Sequence, residues 1–374
     1  MSGVSPLTNA KRVVIKIGSA LLVDENTGEL HRAWLDALAD DVYACIKRGQ
    51  EVIIVTSGAI ALGRGPLGMR GKKLRLEEKQ AAAATGQMRL TQAYQTSLER
   101  HGLTVAQVLL TFDDTESRRR FLNARSTLDT LLKLKVVPVI NENDTVATAE
   151  IRFGDNDRLA ARVAQMIGAD VLVLLSDIDG LYTADPRLKP DAKHVPEVTD
   201  ITPEIEAMAG VVQTGYGSGG MVTKIMAAKI CMSAGCRMAI ALGKPLHALK
   251  TLNEGGHSTW FTPKAGPRAA YKQWIAGAVQ PTGAIVVDDG AVKALHDGKS
   301  LLPAGVVAVD GNFERGDAVA VKTKDGRVLA KGLCAYSSAD IAAIKGHKSD
   351  EIEALLGYRG RSEVIHRDDM VVES

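Results

Sequence analysis

Along the first two-thirds of the chain, short β-branched runs alternate with stretches whose apolar residues recur at helical spacing. Val13-Val14-Ile15-Lys16-Ile17, Glu51-Val52-Ile53-Ile54-Val55 and Val105 to Leu110 read as strands, as do Val136 to Ile140, Asp170 to Leu175 and Arg237 to Leu242. Between them, residues 31–48 set Leu35, Leu38, Val42 and Ile46 on one helical face ahead of Gly49. An Ala-rich helix is predicted over about 77–100, another from Ser117 to Lys133, and a further one from Lys224. Pro138 marks a strand start or an irregularity, because proline has no N–H for the ladder. Asp170 to Leu175 is apolar almost throughout, as expected of a strand covered on both faces. Such alternation predicts an α/β fold, a three-layer sandwich with a largely parallel central sheet.

The pattern changes near residue 263. Thr262-Pro263-Lys264-Ala265-Gly266-Pro267 has turn chemistry, and Lys272 to Val279 fits a short helix or strand bridging the parts. Beyond it come short strand-like runs, Gly283 to Gly290, Gly305 to Gly311, Asp317 to Val321 and Arg327 to Gly332, with Asp-Gly turns between them. They predict a small β-rich domain or barrel. The expected organisation is a main domain over 8–262, a linker over 263–280 and a C-terminal domain over 281–370.

A chain of 374 residues with 45% apolar content can bury the cores of two domains. The net charge of +2 gives no global field for nucleic acid or membrane, and 4% aromatic content offers little stacking surface. The Arg118-Arg119-Arg120 run reads as a solvated helix face. No apolar run reaches membrane-spanning length, and residues 1–7 lack a signal-peptide core. Cys45, Cys231, Cys236 and Cys334 lack the spacing of a zinc site and read as free thiols. The expectation is a soluble cytoplasmic protein.

Candidate chemistry gathers where the predicted strands end. These ends carry Lys16-Ile17-Gly18-Ser19, Thr56-Ser57-Gly58, Asn141-Glu142-Asn143-Asp144 and Ser176-Asp177. In parallel sheets ligands bind beyond the carboxyl ends of strands. Gly215-Tyr216-Gly217-Ser218-Gly219-Gly220 leads through Met221, Val222 and Thr223 to Lys224 and a helix. Glycines and a helix start present N–H donors to a phosphate, although the spacing is not that of a Walker loop. A plain flexible loop is the alternative. Lys16 within an apolar strand either reaches a phosphate or sits on a sheet edge. Gly154-Asp155-Asn156-Asp157 opens a helix with more carboxylate than N-capping needs. It could hold an ammonium group, orient a lysine or contact Mg2+. The Asp177-to-Tyr182 turn could wall a nucleotide base. The histidines show no metal or nucleophile spacing.

Taken in order, Lys16-Ile17-Gly18-Ser19, Ser57-Gly58-Ala59-Ile60, Asn141-Glu142-Asn143-Asp144, Phe153-Gly154-Asp155-Asn156-Asp157, Ser176-Asp177-Ile178-Asp179-Gly180-Leu181-Tyr182 and Gly219-Gly220-Met221-Val222-Thr223-Lys224 resemble the amino-acid kinase family over roughly residues 10–262. Within it, they most resemble its glutamate-phosphorylating branch. The segment from about 280 resembles a PUA domain. The resemblance implies ATP-dependent phosphorylation of the γ-carboxylate of L-glutamate, the first step of proline synthesis. It implies Lys16 and Lys224 at the transferring phosphoryl group, with Asp157 orienting them, and Ser57, Asp144 and Asn156 at the glutamate. It implies ATP contacts from Lys16, Ser176, Asp177, Ser218, Gly219, Gly220, Met221, Val222, Thr223 and Lys224. Val222 stands where a small hydroxyl residue is common in the family. Mg2+ is expected with ATP and without a direct protein ligand. Proline as feedback inhibitor and a homo-oligomer, dimer or tetramer, also follow from the resemblance, which leaves open an RNA contact through the PUA domain.

Overall fold

The structure is a computed structural model that describes residues 5–24, 27–146, 156–210, 220–278 and 280–372. The chain divides into two compact units. One comprises residues up to Glu116 with Asn123–Pro267, and the other Ser117–Leu122 with Arg268 onward.

The first unit is built on strands β1 (Arg12–Ile17), β2 (Glu51–Val55), β3 (Val105–Leu110), β4 (Val137–Glu142), β5 (Val171–Ser176), β6 (Leu181–Tyr182), β7 (His194–Val195), β8 (Glu197–Val198), β9 (Arg237–Leu242) and β10 (Ser258–Phe261). Eight of them form one sheet in the order β3-β4-β2-β1-β5-β9-β10-β8. The pairs from β3 to β9 are parallel, and β10 runs antiparallel to β9. Every residue of β4 and β5 is buried, and the two strands read as apolar runs up to Ile140 and Leu175, with polar residues only at their carboxyl ends. Pro138 is tolerated inside β4 because pairing with β2 begins only at Val139.

The two faces of β1 are sorted by its period of two. Val13, Ile15 and Ile17 join a core with Trp34, Leu35, Leu38 and Val42 of the helix Arg32–Lys47 and with Leu90 and Tyr94 of the helix Leu76–Glu99. Complete burial of side chains of this size stabilises by about 1.5–3 kcal/mol each. Val14 and Lys16 take the opposite face, and the helix Asn156–Ile167 packs against β1 and β5. The predicted three-layer arrangement is therefore present. β1 pairs on both sides, with β2 and β5, so Lys16 is not on a sheet edge. No helix among the described residues is long and apolar enough to cross a membrane. All four cysteines are free and buried.

The second unit holds a separate sheet of β11 (Gly283–Val287), β12 (Val306–Asp310), β13 (Ala318–Lys322), β14 (Val328–Leu333) and β15 (Met370–Val372), in the order β12-β11-β13-β14-β15. The β-rich expectation misses three helices there, Asp289–His296, Ser338–Ile344 and Ile352–Leu356. Asp288, next to the expected Asp289-Gly290 turn, caps the first of them, its Oδ1 accepting from the Ala291 amide at 2.7 Å. Turn and N-cap share the same residues, which is why the sequence reading stopped at a turn. Within the stretch expected as a linker, Pro267–Ala278 is a helix. It is tied to its own unit by Arg268 with Asp368 at 2.7 Å and Tyr271 with Asp369 at 3.1 Å.

Candidate functional site

The helix Asn156–Ile167 starts beyond the carboxyl ends of β1, β2 and β4, and its first two residues are buried. Asp157 is 1% exposed. Its Oδ1 lies 2.6 Å from Lys16 Nζ, its Oδ2 3.1 Å from Lys224 Nζ. Both lysines are themselves buried, at 8% and 5% exposure. Two ammonium groups thus converge on one carboxylate. Burial would raise the Asp157 carboxyl, but Lys16 and then Lys224 hold it well below the usual carboxylate range. The Thr223 hydroxyl also lies 2.9 Å from Asp157 Oδ2 and 2.8 Å from Gly220 O, and donates to one of them at a time.

Lys224 reaches this point because the helix Met221–Ser233 begins three residues earlier than its apolar pattern predicts. Gly220 is its extended N-cap. Lys224 therefore lies in the first turn, on the face that packs against the helix Asn156–Ile167.

Asn156 carries the other half of the site. Its Nδ2 lies 2.7 Å from Ser57 Oγ, 2.8 Å from Thr56 O and 3.1 Å from Asn141 Oδ1, three acceptors that share its two N–H groups. The Asn156 Oδ1 is buried and has no hydrogen-bond partner among the described residues. Asn141 Oδ1 also accepts from the Glu142 amide at 2.9 Å, and Asn141 Nδ2 donates to Gln87 Oε1 at 2.8 Å. Thr56 Oγ1 lies 2.9 Å from the Tyr94 hydroxyl. Ser57 is followed by Gly58 at φ 102, a left-handed conformation that turns the chain into the helix Ala59–Arg64.

The structure thus ties Lys16, Ser57, Asn156, Asp157, Thr223 and Lys224 into one cluster. Ser176 closes β5, and its hydroxyl donates to Asp177 Oδ1 at 3.1 Å. Asp144 lies just past β4, partly buried, and burial pushes its carboxyl up to about 6. Gly220, Met221 and Val222 form the start of the Lys224 helix. Ser218 and Gly219 lie outside the described residues, as do Gly215 to Gly217 and Phe153 to Asp155. Sequence reasoning assigned no role to Thr56, Gln87, Tyr94 or Asn141. Asn141 belongs to the Asn141-to-Asp144 strand end, but a glutamine in an Ala-rich helix gives no local signal of a partner 54 residues away.

Comparison with known proteins decides the family. The model of the amino acid kinase family matches residues 11–241. The chain belongs to the amino acid kinase family. As a kinase it also carries a PUA domain, matched over residues 283–356. It is 66% identical over 369 residues to a protein of Paramagnetospirillum magneticum named glutamate 5-kinase, a match covering 99% of this chain and 100% of that one. Proteins of the same name from Rhodospirillum rubrum and Agrobacterium fabrum are 60% and 59% identical, covering 96% and 98% of this kinase and 96% and 94% of their own lengths.

Proposed function

We infer that this kinase transfers the γ-phosphoryl group of ATP to the γ-carboxylate of L-glutamate, giving glutamyl 5-phosphate for proline synthesis. The observation that carries the reading is the convergence of Lys16 and Lys224 on Asp157, one residue from the amide cluster of Asn156 and Ser57. The relatives' shared name supports the choice of acceptor.

The carboxylate oxygen attacks the γ-phosphorus, a new P–O bond forms, and ADP leaves with the electrons of the broken bond. The acceptor is ionised at neutral pH, since a glutamate side chain titrates near 4.3, so no general base is needed. What the protein supplies is position and positive charge. Lys16 and Lys224 offset the repulsion between carboxylate and phosphates and meet the charge that develops in transit. Asp157 fixes both ammonium groups through a single side chain. Asn156, Ser57 and Asp144 take the amino-acid part, while Ser176, Asp177 and residues 218–224 take the nucleotide.

Among the described residues no group of three or more His, Cys, Asp and Glu could hold a metal ion, and Asp157 is engaged by the lysines. Mg2+ would be carried in on the phosphates of the substrate ATP, where it would neutralise phosphate charge. Inhibition by proline, a dimeric or tetrameric assembly and a cytoplasmic location belong to the same reading. An RNA contact through the PUA domain would add to it.

Trapping the acyl phosphate as a hydroxamate tests the assignment, with glutamate, aspartate and N-acetylglutamate offered in turn. Glutamate should be used with the highest kcat/KM. Preference for either of the others would overturn the acceptor.

A further inference from the structure

The amides on the substrate side form a chain that continues away from the site with a fixed polarity. Asn156 Nδ2 donates to Asn141 Oδ1, and Asn141 Nδ2 donates to Gln87 Oε1. Gln87 Nε2 donates to Thr91 Oγ1 at 3.3 Å, and the Thr91 hydroxyl lies 3.0 Å from Gln107 Oε1 on β3. In every side-chain amide from Gln87 to Asn156 the nitrogen faces the periphery and the oxygen faces the site. Backbone groups agree at two points. The Thr56 carbonyl can only accept, so it fixes the Asn156 nitrogen, and the Glu142 amide can only donate, so it fixes the Asn141 oxygen. The consequence is that Asn156 ends the chain with a buried oxygen that lacks a partner among the described residues.

Gln87 is held in register by bare backbone contact. A Cβ added to Gly86 would come 1.7 Å from Ala59 O, and one added to Gly63 would come 1.8 Å from Ala82 O. The helices Ala59–Arg64 and Leu76–Glu99 can approach this closely only through glycine. Gln87 follows Gly86 directly and is 8% exposed. Without its oxygen the Asn141 amino group would be a buried donor with nothing to bond, and Asn141 would turn to find a partner. That movement would act against the Glu142 amide alone, and it would displace one of the three acceptors around the Asn156 nitrogen.

We propose that Gln87 is a positioning residue for this reaction: together with the Glu142 amide and the Thr56 carbonyl it holds the Asn141–Asn156 amide pair in place, and so helps the site select a substrate that presents an N–H donor. The proposal rests on the amino-acid kinase reading above and narrows it to dicarboxylates bearing an α-ammonium group. Carboxylate acceptors of the same length without nitrogen, such as glutarate, leave the Asn156 oxygen unmet and are rejected.

Steady-state kinetics of the full-length enzyme test this. Gln87→Met keeps the side chain's length and removes its hydrogen bonds. The glutamate KM should rise about tenfold, while kcat and the ATP KM stay within about threefold. The ratio of kcat/KM for glutamate over glutarate should contract by about tenfold. Gln87→Glu still offers an oxygen to Asn141 Nδ2, and its glutamate KM should stay within about threefold of the wild type. An unchanged glutamate KM in Gln87→Met overturns the proposal. So does a parallel loss in kcat and ATP KM, or a Gln87→Glu variant as impaired as Gln87→Met. Should Gln87→Met fail to fold, Thr91→Val removes the anchor of Gln87 instead, and a glutamate KM raised about threefold supports the relay while an unchanged one overturns it. Wild-type enzyme that makes no acyl phosphate from glutamate would sink the functional reading itself. Normal wild-type turnover beside a flat Gln87 series sinks the relay alone.

Discussion

Asn156 and Asp157 open the same helix and are both buried, yet one is surrounded by neutral oxygens and the other by two ammonium groups. On the Asp157 side the interactions are Coulombic. They act over distance, tolerate changes of angle and suit a phosphoryl group whose charge shifts between oxygens as it moves. On the Asn156 side they are directional hydrogen bonds between groups of nearly equal shape, where exchanging donor for acceptor reverses the outcome. The helix start therefore divides labour between adjacent residues. On the proposed reading, charge handles the group in transit, and oriented amides handle the molecule that stays.

The comparison breaks most forcefully at the carboxylate. Asp157→Asn keeps the shape and removes the charge, leaving Lys16 and Lys224 as neighbouring buried cations. Removing one partner of a buried ion pair costs about 3–5 kcal/mol, so urea denaturation should show a loss of that size along with lost turnover. Unchanged stability would mean that water reaches the lysines and screens them. Lys224→Ala comes next. Loss of one group that meets transition-state charge should lower kcat about 100- to 1000-fold, with the glutamate KM within about threefold. A rise in KM of the same size as the loss in kcat/KM would place Lys224 on the substrate side of the division. Asn156→Ala should show the converse. The glutamate KM should rise about 10- to 100-fold, from loss of a hydrogen bond to a charged group, with the ATP KM unchanged. An effect confined to ATP would erase the distinction between the two residues.

The two halves were unequally legible in the sequence. Lys16, Asp157 and Lys224 were visible because a lysine inside an apolar strand, surplus carboxylate at a helix start and a lysine after a glycine run each violate a local expectation. The parallel sheet was visible for a similar reason, since strands such as β5 are apolar beyond what one buried face requires. Gln87 and Tyr94 violate nothing locally. Both sit in a long helix whose composition suits helix formation anyway, and only tertiary packing brings Gln87 to Asn141 and Tyr94 to Thr56. The same limit applied in the second unit. The Asp288 N-cap looks like a turn until the helix that follows is seen, and β15 is only three residues long.

Asp144 sharpens the comparison most finely, because the proposed function puts this carboxylate with the amides at the glutamate. Burial raises its carboxyl to about 6, so below that pH the ligand-free site holds it protonated. The sign follows from what glutamate brings. Its ammonium favours the ionised form, so binding pulls the Asp144 pKa down and releases a proton when the pH is near 6. The acceptor's own γ-carboxylate titrates well below this range and does not confuse the profile. The kcat/KM for glutamate should therefore be halved at about pH 6 and fall about tenfold one unit lower, while kcat at saturating glutamate is much less affected. Asp144→Asn should flatten that dependence at a lower overall kcat/KM. Calorimetry at pH 6 in buffers of different ionisation enthalpy should register the released proton for the wild type and not for the variant. Proton uptake on binding would mean that glutamate prefers the neutral carboxyl, and the amide side of the site would then recognise its substrate without a charge of its own.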